Sequence, residues 1–196
     1  MKYCVLLLFL LCSENILAQS ATYKLINKAA GTTGNISIRR TDDELDVNII
    51  ANWNDKAGTY GDFTGKGVLT DNKCILKKEK GTQLCKVSLT FNEDSLHVDF
   101  QDCTSYQLPA GFSGSYVKIA DNVTGEYIVS ADICYFYSKP DEKSRKKAFA
   151  YPPEILNIEE IFEGNWGFAT FMSNGKQLFG YVKLTDLKFK RTYLYD

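Results

Sequence analysis

Very few side chains in this 196-residue sequence are of the types that carry out acid–base or nucleophilic chemistry. His97 is the only histidine, so a Ser-His-Asp or Cys-His arrangement would have to use it. It lies between Leu96 and Val98 in an alternating segment, which places His97 and Asp99 together on the outward face of a strand. We interpret His97 as a solvent-facing strand residue, and we predict no catalytic residue.

The densest acidic cluster lies early in the chain and consists of Asp42, Asp43, Glu44 and Asp46. Paired carboxylates hydrolyse glycosides, but this cluster lies where a turn enters a strand, and Asp is favoured there for backbone reasons. The sequence has no serine in a nucleophile elbow and no His-Glu-x-x-His pair. We therefore predict that the protein is not an enzyme and that it uses no cofactor.

The first 18 residues have the layout of a secretory signal peptide. Lys2 gives a positive start, residues 5–11 form an unbroken apolar run, and small residues allow cleavage after Ala18 or Ser20. The run is shorter than the roughly 20 apolar residues that span a bilayer, and no later segment comes close. We expect an exported protein, periplasmic or secreted, with no stable membrane insertion.

A lipid anchor on Cys12 is the alternative to cleavage near Ala18, because a cysteine closes the apolar run. Leu11 precedes Cys12, whereas bacterial lipoproteins carry Gly, Ala or Ser at that position. Cleavage near Ala18 is therefore the favoured prediction.

Four cysteines remain after the signal peptide: Cys74, Cys85, Cys103 and Cys134. An even number in an exported chain indicates disulfides, although four cysteines allow three pairings. Cys85 and Cys103 lie at the edges of a predicted hairpin, and a bond closing that loop would stabilise the fold by about 3 kcal/mol. Cys134 is either a buried free thiol or bonded to Cys74. The wide spacing of the cysteines and the single histidine predict no metal site.

The charge of the chain is balanced, with 23 Lys and Arg against 24 Asp and Glu and a net charge of -1. Nucleic acids and anionic membranes reward clustered positive charge, so neither is expected as the main partner. The local exception is the basic run at 143–147. We interpret it as a solvated loop rather than an anion-binding patch, balanced by Glu154, Glu159, Glu160 and Glu163 on neighbouring strands.

Short alternating segments separated by turn residues predict an all-β protein. Residues 21–119 are expected to form an antiparallel barrel or sandwich of about seven to eight strands, at 35–39, 45–53, 59–70, 74–78, 85–91, 96–101 and 113–119. The clearest hairpin joins 87–91 to 96–100, because both strands alternate across the polar turn 92–95. Four glycines are interpreted as bends or bulges of this barrel: Gly58, Gly61, Gly65 and Gly67.

A change of texture in the chain predicts a linker at 120–129 and a second β domain at 130–196. Residues 153–162 fit both a helical and a strand period, and their β-branched side chains favour a strand. The sequence leaves the oligomeric state open.

The second domain carries more aromatic area than a barrel of its size can bury. Alternation places Tyr135 and Tyr137 on one face of a strand and Phe136 on the other. Exposed Tyr and Trp are good anchors, since they bury a large area and keep a polar group. We predict a ligand-binding groove formed by Tyr135, Tyr137, Trp166 and Tyr181, with core positions for Trp166 and Tyr181 as the alternative.

Three stretches of the second domain follow one another in a recognisable order: Ala131-Asp-Ile-Cys-Tyr-Phe-Tyr-Ser-Lys-Pro140, Gly164-Asn-Trp-Gly-Phe-Ala-Thr-Phe171 and Phe179-Gly-Tyr-Val-Lys-Leu-Thr-Asp-Leu187. In order and spacing they resemble the bacterial SH3-like domain family. Such domains bind peptides, cell-wall fragments or partner proteins and are not usually catalytic. The resemblance therefore implies a small SH3-like barrel with a binding function.

The first domain contains Gly58-Thr-Tyr-Gly61, a strand from Cys85 that ends in Leu-Thr-Phe91, Cys103, and Gly111-Phe-Ser-Gly-Ser-Tyr-Val-Lys118. This layout resembles small periplasmic barrel proteins that include lysozyme inhibitors. The resemblance implies a contact surface at 104–114, with the side chains of Ser113, Ser115 and Tyr116.

Two functional expectations follow from the sequence. The first is an exported, non-catalytic binding protein that recognises a peptide, cell-wall fragment or protein partner through an SH3-like module. The alternative is a periplasmic inhibitor of a lysozyme-like hydrolase or an imported toxin, acting through the 104–114 loop.

Overall fold

Residues 20–26, 32–53, 59–108, 110–173 and 175–191 are described by the structure, which is a computed structural model. The predicted signal peptide, with its cleavage point after Ala18 and with Cys12, lies outside these residues, as does Gly58. The described part of the chain is all-β, as predicted, with short 3₁₀ turns between strands. None of its helical segments is long and apolar enough to cross a membrane.

The first sheet has eight antiparallel strands: β1 (Ala21–Leu25), β2 (Thr33–Thr41), β3 (Glu44–Asn52), β4 (Tyr60–Val68), β5 (Lys73–Lys80), β6 (Gln83–Asn92), β7 (Ser95–Gln101) and β8 (Gly114–Ala120). Consecutive strands pair with each other except β4 and β5, and β1 also pairs with β8, so the order is β4-β3-β2-β1-β8-β7-β6-β5. The sheet curls until its edge strands β4 and β5 approach each other, where Lys78 Nζ donates to the Thr64 carbonyl at 3.3 Å. The predicted antiparallel barrel is confirmed as a nearly closed one.

Gly67 permits the close approach of β4 to β5. A Cβ at this position would collide with the Cys74 sulfur and with the side chain of Leu76. The glycine therefore serves a packing purpose at the seam of the barrel.

Alternating side chains fill the interior of the barrel. In the β6–β7 hairpin, Val87, Leu89 and Phe91 face the core opposite three buried residues of β7, which are Phe100, Val98 and Leu96. This is the hairpin that the sequence predicts most clearly. The Cys85–Cys103 disulfide, also predicted, is formed beside it. Cys74 and Cys134 are buried free thiols, so a bond between them is excluded and the free-thiol interpretation of Cys134 is correct.

The second sheet has seven antiparallel strands: β9 (Gly125–Val129), β10 (Cys134–Tyr137), β11 (Arg145–Ala150), β12 (Ile155–Phe162), β13 (Trp166–Ser173), β14 (Lys176–Lys183) and β15 (Leu187–Arg191). Their order is β11-β10-β14-β13-β12-β9-β15. A 3₁₀ turn at Leu184–Asp186 lets the last strand return and pair with the first. The sheet encloses a second core that includes Phe136, Leu156, Ile158, Ala169 and Val182.

Strand β9 occupies residues for which the sequence predicts a linker. Gly125, Tyr127 and Val129 are buried in alternation, and β9 lies between β12 and β15 inside the second sheet. Only residues 121–124 connect β8 to β9. The second sheet therefore begins before the predicted domain start at residue 130.

The same local device begins β8 and β9. The Tyr116 hydroxyl donates to the Phe112 carbonyl at 2.8 Å, and the Tyr127 hydroxyl donates to the Val123 carbonyl at 2.7 Å. Two residues before each tyrosine stands a glycine, with φ of 145° at Gly114 and 148° at Gly125. This positive φ favours glycine. It turns the chain so that each ring folds back over the residues that precede its strand, as in a tyrosine corner.

Both hydroxyl bonds are buried, which makes a stability prediction possible. We expect Tyr116→Phe and Tyr127→Phe each to lower the free energy of unfolding by about 1–3 kcal/mol, because a buried carbonyl loses its donor. Urea denaturation followed by circular dichroism measures the change. Tyr60→Phe is the matched control, since Tyr60 is largely exposed. Variants that unfold at the same urea concentration as the control would contradict the role given to the two hydroxyls.

Candidate functional site

One row of paired residues defines the outer face of the second sheet. Glu160 lies opposite Phe168, Phe168 lies opposite Tyr181, and Tyr181 lies opposite Tyr137. Residues directly opposite in an antiparallel sheet share a face, so the row crosses β12, β13, β14 and β10 on one side. Trp166 belongs to the same face, because it lies two residues from Phe168. Three of the four predicted groove residues are thus brought together.

Four aromatic rings on this face contact one another in sequence, and we call them the aromatic stripe: Phe162, Tyr181, Phe168 and Phe179. The ring centroids of Phe162 and Tyr181 are 5.2 Å apart, those of Tyr181 and Phe168 5.4 Å, and those of Phe168 and Phe179 6.5 Å. The first three rings are half-buried, whereas Phe179 is 59% exposed. The stripe therefore exposes aromatic surface to solvent, most of all at Phe179.

Tyr137 and Trp166 lie beside the stripe but are buried. Their rings meet edge to face with centroids 4.9 Å apart, and their exposed fractions are 6% and 9%. The sequence predicts that Tyr137 lines an open groove. The structure instead buries its side chain. For Trp166 the core alternative agrees with this burial. Both residues therefore expose little surface.

An ion pair ties the β10–β11 loop to this end of the sheet. Lys183, opposite Trp166 in the register, contacts Glu142 of the loop with Nζ and Oε1 2.5 Å apart. The hydrogen bond to Glu142 raises the pKa of Lys183. The loop is closed on itself by the Ser138 N–H, which donates to the Ser144 carbonyl at 3.0 Å.

Tyr135 belongs to a separate cluster. Its ring lies 4.7 Å from the Arg145 guanidinium and 6.4 Å from the Phe149 ring, and Phe149 in turn contacts Tyr151. An irregularity in the β10–β11 pairing falls between Tyr135 and Tyr137. Among the described residues no ring contact joins Tyr135 to the stripe, so the structure does not unite all four predicted groove residues.

Three rings of the stripe, Phe162, Phe168 and Phe179, are not among the site residues predicted from the sequence. The signal for two of them was present in the alternation: Phe168 follows Trp166 by two, and Phe179 precedes Tyr181 by two. Period-two spacing puts each pair on one face. Phe162 carries no such local signal, because its position depends on the register of β12 with β13.

The loop of the inhibitor alternative covers one end of the barrel. It contains 3₁₀ turns at Thr104–Tyr106 and Ala110–Phe112. Two of its own side chains, Leu108 and Phe112, are buried. Its backbone is held by Trp53 Nε1, which donates to the Gln107 carbonyl at 3.1 Å. The loop is therefore a packed cover of the barrel.

The three candidate side chains of that loop differ in accessibility. Tyr116 is fully buried, and Ser113 is half-buried, with its hydroxyl oxygen accepting from the Phe100 N–H at 2.9 Å. Ser115 is exposed on β8. One of the three thus faces solvent.

His97 is exposed on β7, opposite Thr90 on β6. The Asp99 carboxylate accepts hydrogen bonds from Gln101 at 2.9 Å and from Ser113 at 3.4 Å, and no hydrogen bond joins it to His97 within the described ranges. The acidic cluster at Asp42 and Asp43 forms the β2–β3 turn. In the part of the chain that the structure describes, no group of three or more His, Cys, Asp or Glu is arranged to hold a metal ion.

Buried polar contacts join the barrel to the second sheet. The Thr22 hydroxyl donates to the Asn122 carbonyl at 2.8 Å, and the Thr124 N–H donates to the Ser37 hydroxyl at 2.7 Å. Asn35 Nδ2 donates to Glu160 Oε1 at 2.6 Å. These contacts fix the β12 end of the outer face against β1 and β2.

Burial raises the pKa of Glu160, and the hydrogen bond from Asn35 and the nearby charge of Lys24 offset part of that rise. Asn35 Oδ1 is buried without a hydrogen-bond partner. The contact lines a cavity of about 10 Å³. A carboxylate is thus held in a confined, polar position between the two sheets.

Comparisons with protein-family models, with curated proteins and with solved structures found no match to this chain. No family is therefore assigned to it. The geometry of the aromatic stripe and its surroundings is the basis for a functional proposal.

The half-buried Glu160 carboxylate gives a pH-dependent prediction. Its folded-state pKa is raised, so the ionised form destabilises the fold at neutral pH, and that penalty is relieved as the pH falls through the folded pKa towards 4.5. We expect Glu160→Gln to be at least as stable as the wild type at pH 7, because the amide pairs with both polar atoms of Asn35. The advantage should shrink towards pH 4.5.

Urea unfolding of both proteins between pH 7 and 4.5 measures this trend. Glu159→Gln is the control, because Glu159 is the exposed neighbour on the same strand. A stability difference between Glu160→Gln and wild type that grows as the pH falls would contradict the burial argument.

Proposed function

We propose that this is an exported, non-catalytic binding protein whose second sheet is an SH3-like module that recognises a peptide, cell-wall fragment or protein partner. The observation that carries the proposal is the aromatic stripe, a continuous row of rings that ends in the largely exposed Phe179. Aromatic side chains with few rotatable bonds are effective anchors, because ordering them costs little entropy.

The SH3-like assignment is supported by how the three sequence stretches map onto strands. The first stretch contains β10, and the second opens β13 with its Trp-Gly pair. The third spans the end of β14, the 3₁₀ turn and the first residue of β15. The pairing of β15 with β9 brings the last strand of the module beside its first, and both strands contribute side chains to the second core.

A cation adds to the chemistry of the stripe. Lys146 Nζ lies 5.1 Å from the centre of the Phe179 ring and donates to the Phe179 carbonyl at 2.9 Å. A charged ammonium beside an exposed ring suits a ligand that combines an apolar face with an acceptor or anionic group. Peptides and cell-wall fragments both meet this description.

Export is supported by the Cys85–Cys103 disulfide, because such bonds persist in oxidising compartments. The signal-peptide layout of the first 18 residues supports it further. We propose cleavage near Ala18 and a periplasmic or secreted location.

The inhibitor alternative draws less support from the geometry. Of its three contact side chains, Tyr116 is inside the barrel and Ser113 is engaged in hydrogen bonds. Ser115 alone is exposed. An inhibitor would have to present the outer surface of the barrel cover rather than these side chains.

The stripe is tested by a matched pair of aromatic substitutions. We expect Phe179→Ala to weaken ligand retention by roughly 30-fold, the effect of removing an anchor worth about 2 kcal/mol. Tyr60→Ala should leave retention unchanged, because Tyr60 is equally exposed, 59%, but lies on the barrel. The measurement is co-sedimentation with purified cell-wall sacculi and capture from envelope extract, with circular dichroism to check folding.

Equal retention by Phe179→Ala and Tyr60→Ala would remove the stripe as the binding surface. A hydrolase captured by both and released by Ser115→Arg, a change at the one exposed contact side chain of the inhibitor alternative, would favour the inhibitor function instead.

A further inference from the structure

Strand β11 is an open edge of the second sheet. In the described ranges it pairs with β10 alone, so one side of its backbone is free to accept another strand. Such an edge is a template for pairing with a second chain. The other edge strand of this sheet is β15, whose charged side chains form different contacts from those of β11.

The exposed face of β11 combines cations with aromatic surface. Arg145, Lys147 and Phe149 are exposed in alternation. Of the residues between them, Lys146 contacts Phe179, and Ala148 packs against the second core. Phe149 is 42% exposed and its ring centroid lies 5.0 Å from that of the exposed Tyr151. An edge protected only against aggregation would need the charges but not the exposed rings.

The exposed cations of β11 differ from those of β15 in their ion pairs. None of the ion pairs between described residues involves Arg145 or Lys147. On β15, by contrast, Arg191 and Lys190 both contact the Glu126 carboxylate, at 2.8 and 3.2 Å. Among the described residues, Arg145 and Lys147 thus have no carboxylate partner, whereas two of the three cations on β15 share one.

We propose that β11 binds an extended acidic segment of a partner protein, which adds to the second sheet as an antiparallel strand. Its side chains would alternate so that an apolar residue lies beside Phe149 and carboxylates lie beside Lys147 and Arg145. Read from its N-terminus, the segment has the pattern apolar-x-acidic-x-acidic. This site is separate from the aromatic stripe and does not depend on the function proposed for it.

Two kinds of interaction contribute to this binding. Main-chain hydrogen bonds to the edge give affinity, and alternate side chains give selectivity. The charge pairs are solvent-exposed and each contributes little on its own, so binding should weaken with salt. The basic run at 143–147, interpreted from the sequence as a solvated loop, thus acquires a role through its position on an edge strand.

The probe for the experiment is a labelled peptide, acetyl-Leu-Val-Glu-Val-Glu-amide, titrated with the purified protein and followed by fluorescence anisotropy. We expect saturable binding and about tenfold weakening by Lys147→Glu, since reversing a contacting charge creates repulsion. Lys188→Glu is the control, because Lys188 is an exposed lysine on the opposite edge strand. It should change affinity less than about twofold.

Strand addition has a signature that charge attraction alone lacks. Successive backbone N–H groups of an added strand point alternately towards and away from its neighbour. Two peptides, one methylated on the backbone nitrogen of the first glutamate and one on that of the adjoining second valine, should therefore behave differently. One of them should bind about tenfold more weakly, and the other should bind nearly as well as the parent peptide.

Three results would overturn the proposal. They are no saturable binding at about 1 mM protein, equal weakening by Lys147→Glu and Lys188→Glu, or equal effects of the two methylated positions. Arg145→Glu provides a second charge reversal if Lys147→Glu fails to fold by circular dichroism, and the same control applies.

Discussion

The buried polar contact between the barrel and the second sheet is the constraint on which the arrangement of this protein depends. The described chain buries four polar side chains almost completely, and all of them lie at this contact: Thr22, Asn35, Ser37 and Thr124. A buried polar group is costly unless it is hydrogen-bonded, so a shifted docking would leave several of them unpaired. Apolar surfaces tolerate sliding, whereas this set of donors and acceptors specifies one orientation.

The consequences of that contact extend across the second sheet. Glu160 is hydrogen-bonded to the barrel, and the row that starts at Glu160 continues through Phe168 and Tyr181 to Tyr137. The aromatic stripe thus lies on strands that are fixed at one end by the barrel and packed underneath on the second core. A surface held in this way is formed before a ligand arrives, which lowers the entropy lost on binding.

Local patterns in the sequence are enough to predict the strands whose two faces differ clearly in polarity. The barrel, the β6–β7 hairpin, the Cys85–Cys103 disulfide and a strand at β12 are all predictable from period-two alternation and cysteine position. The sequence indicates a linker at β9 because Asn122 and Thr124, just before it, make their contacts with the distant β1, β2 and β3, which no local pattern reveals. The sequence indicates a loop at β11 because exposed cations on an edge strand give the same local pattern as a solvated loop. The burial of Tyr137 cannot be predicted from local sequence either, because Trp166, the ring that it packs against, lies far along the chain.

The net charge of the chain is close to zero, but the edge strands of its sheets differ in their charged contacts. Glu126 binds Arg191 and Lys190, and its hydrogen bond with Arg191 lowers the pKa of Glu126 to about 2, so these contacts between β9 and β15 persist well into acid. In the barrel the edge strands β4 and β5 approach each other, and Lys78 Nζ donates to the Thr64 carbonyl and hydroxyl between them. Positive charge on β11 opposes the pairing of two copies of this edge, since like charges would face across the new ladder. The same charge leaves an acidic strand as the complementary occupant, so protection against self-association and selection of a partner follow from one set of residues.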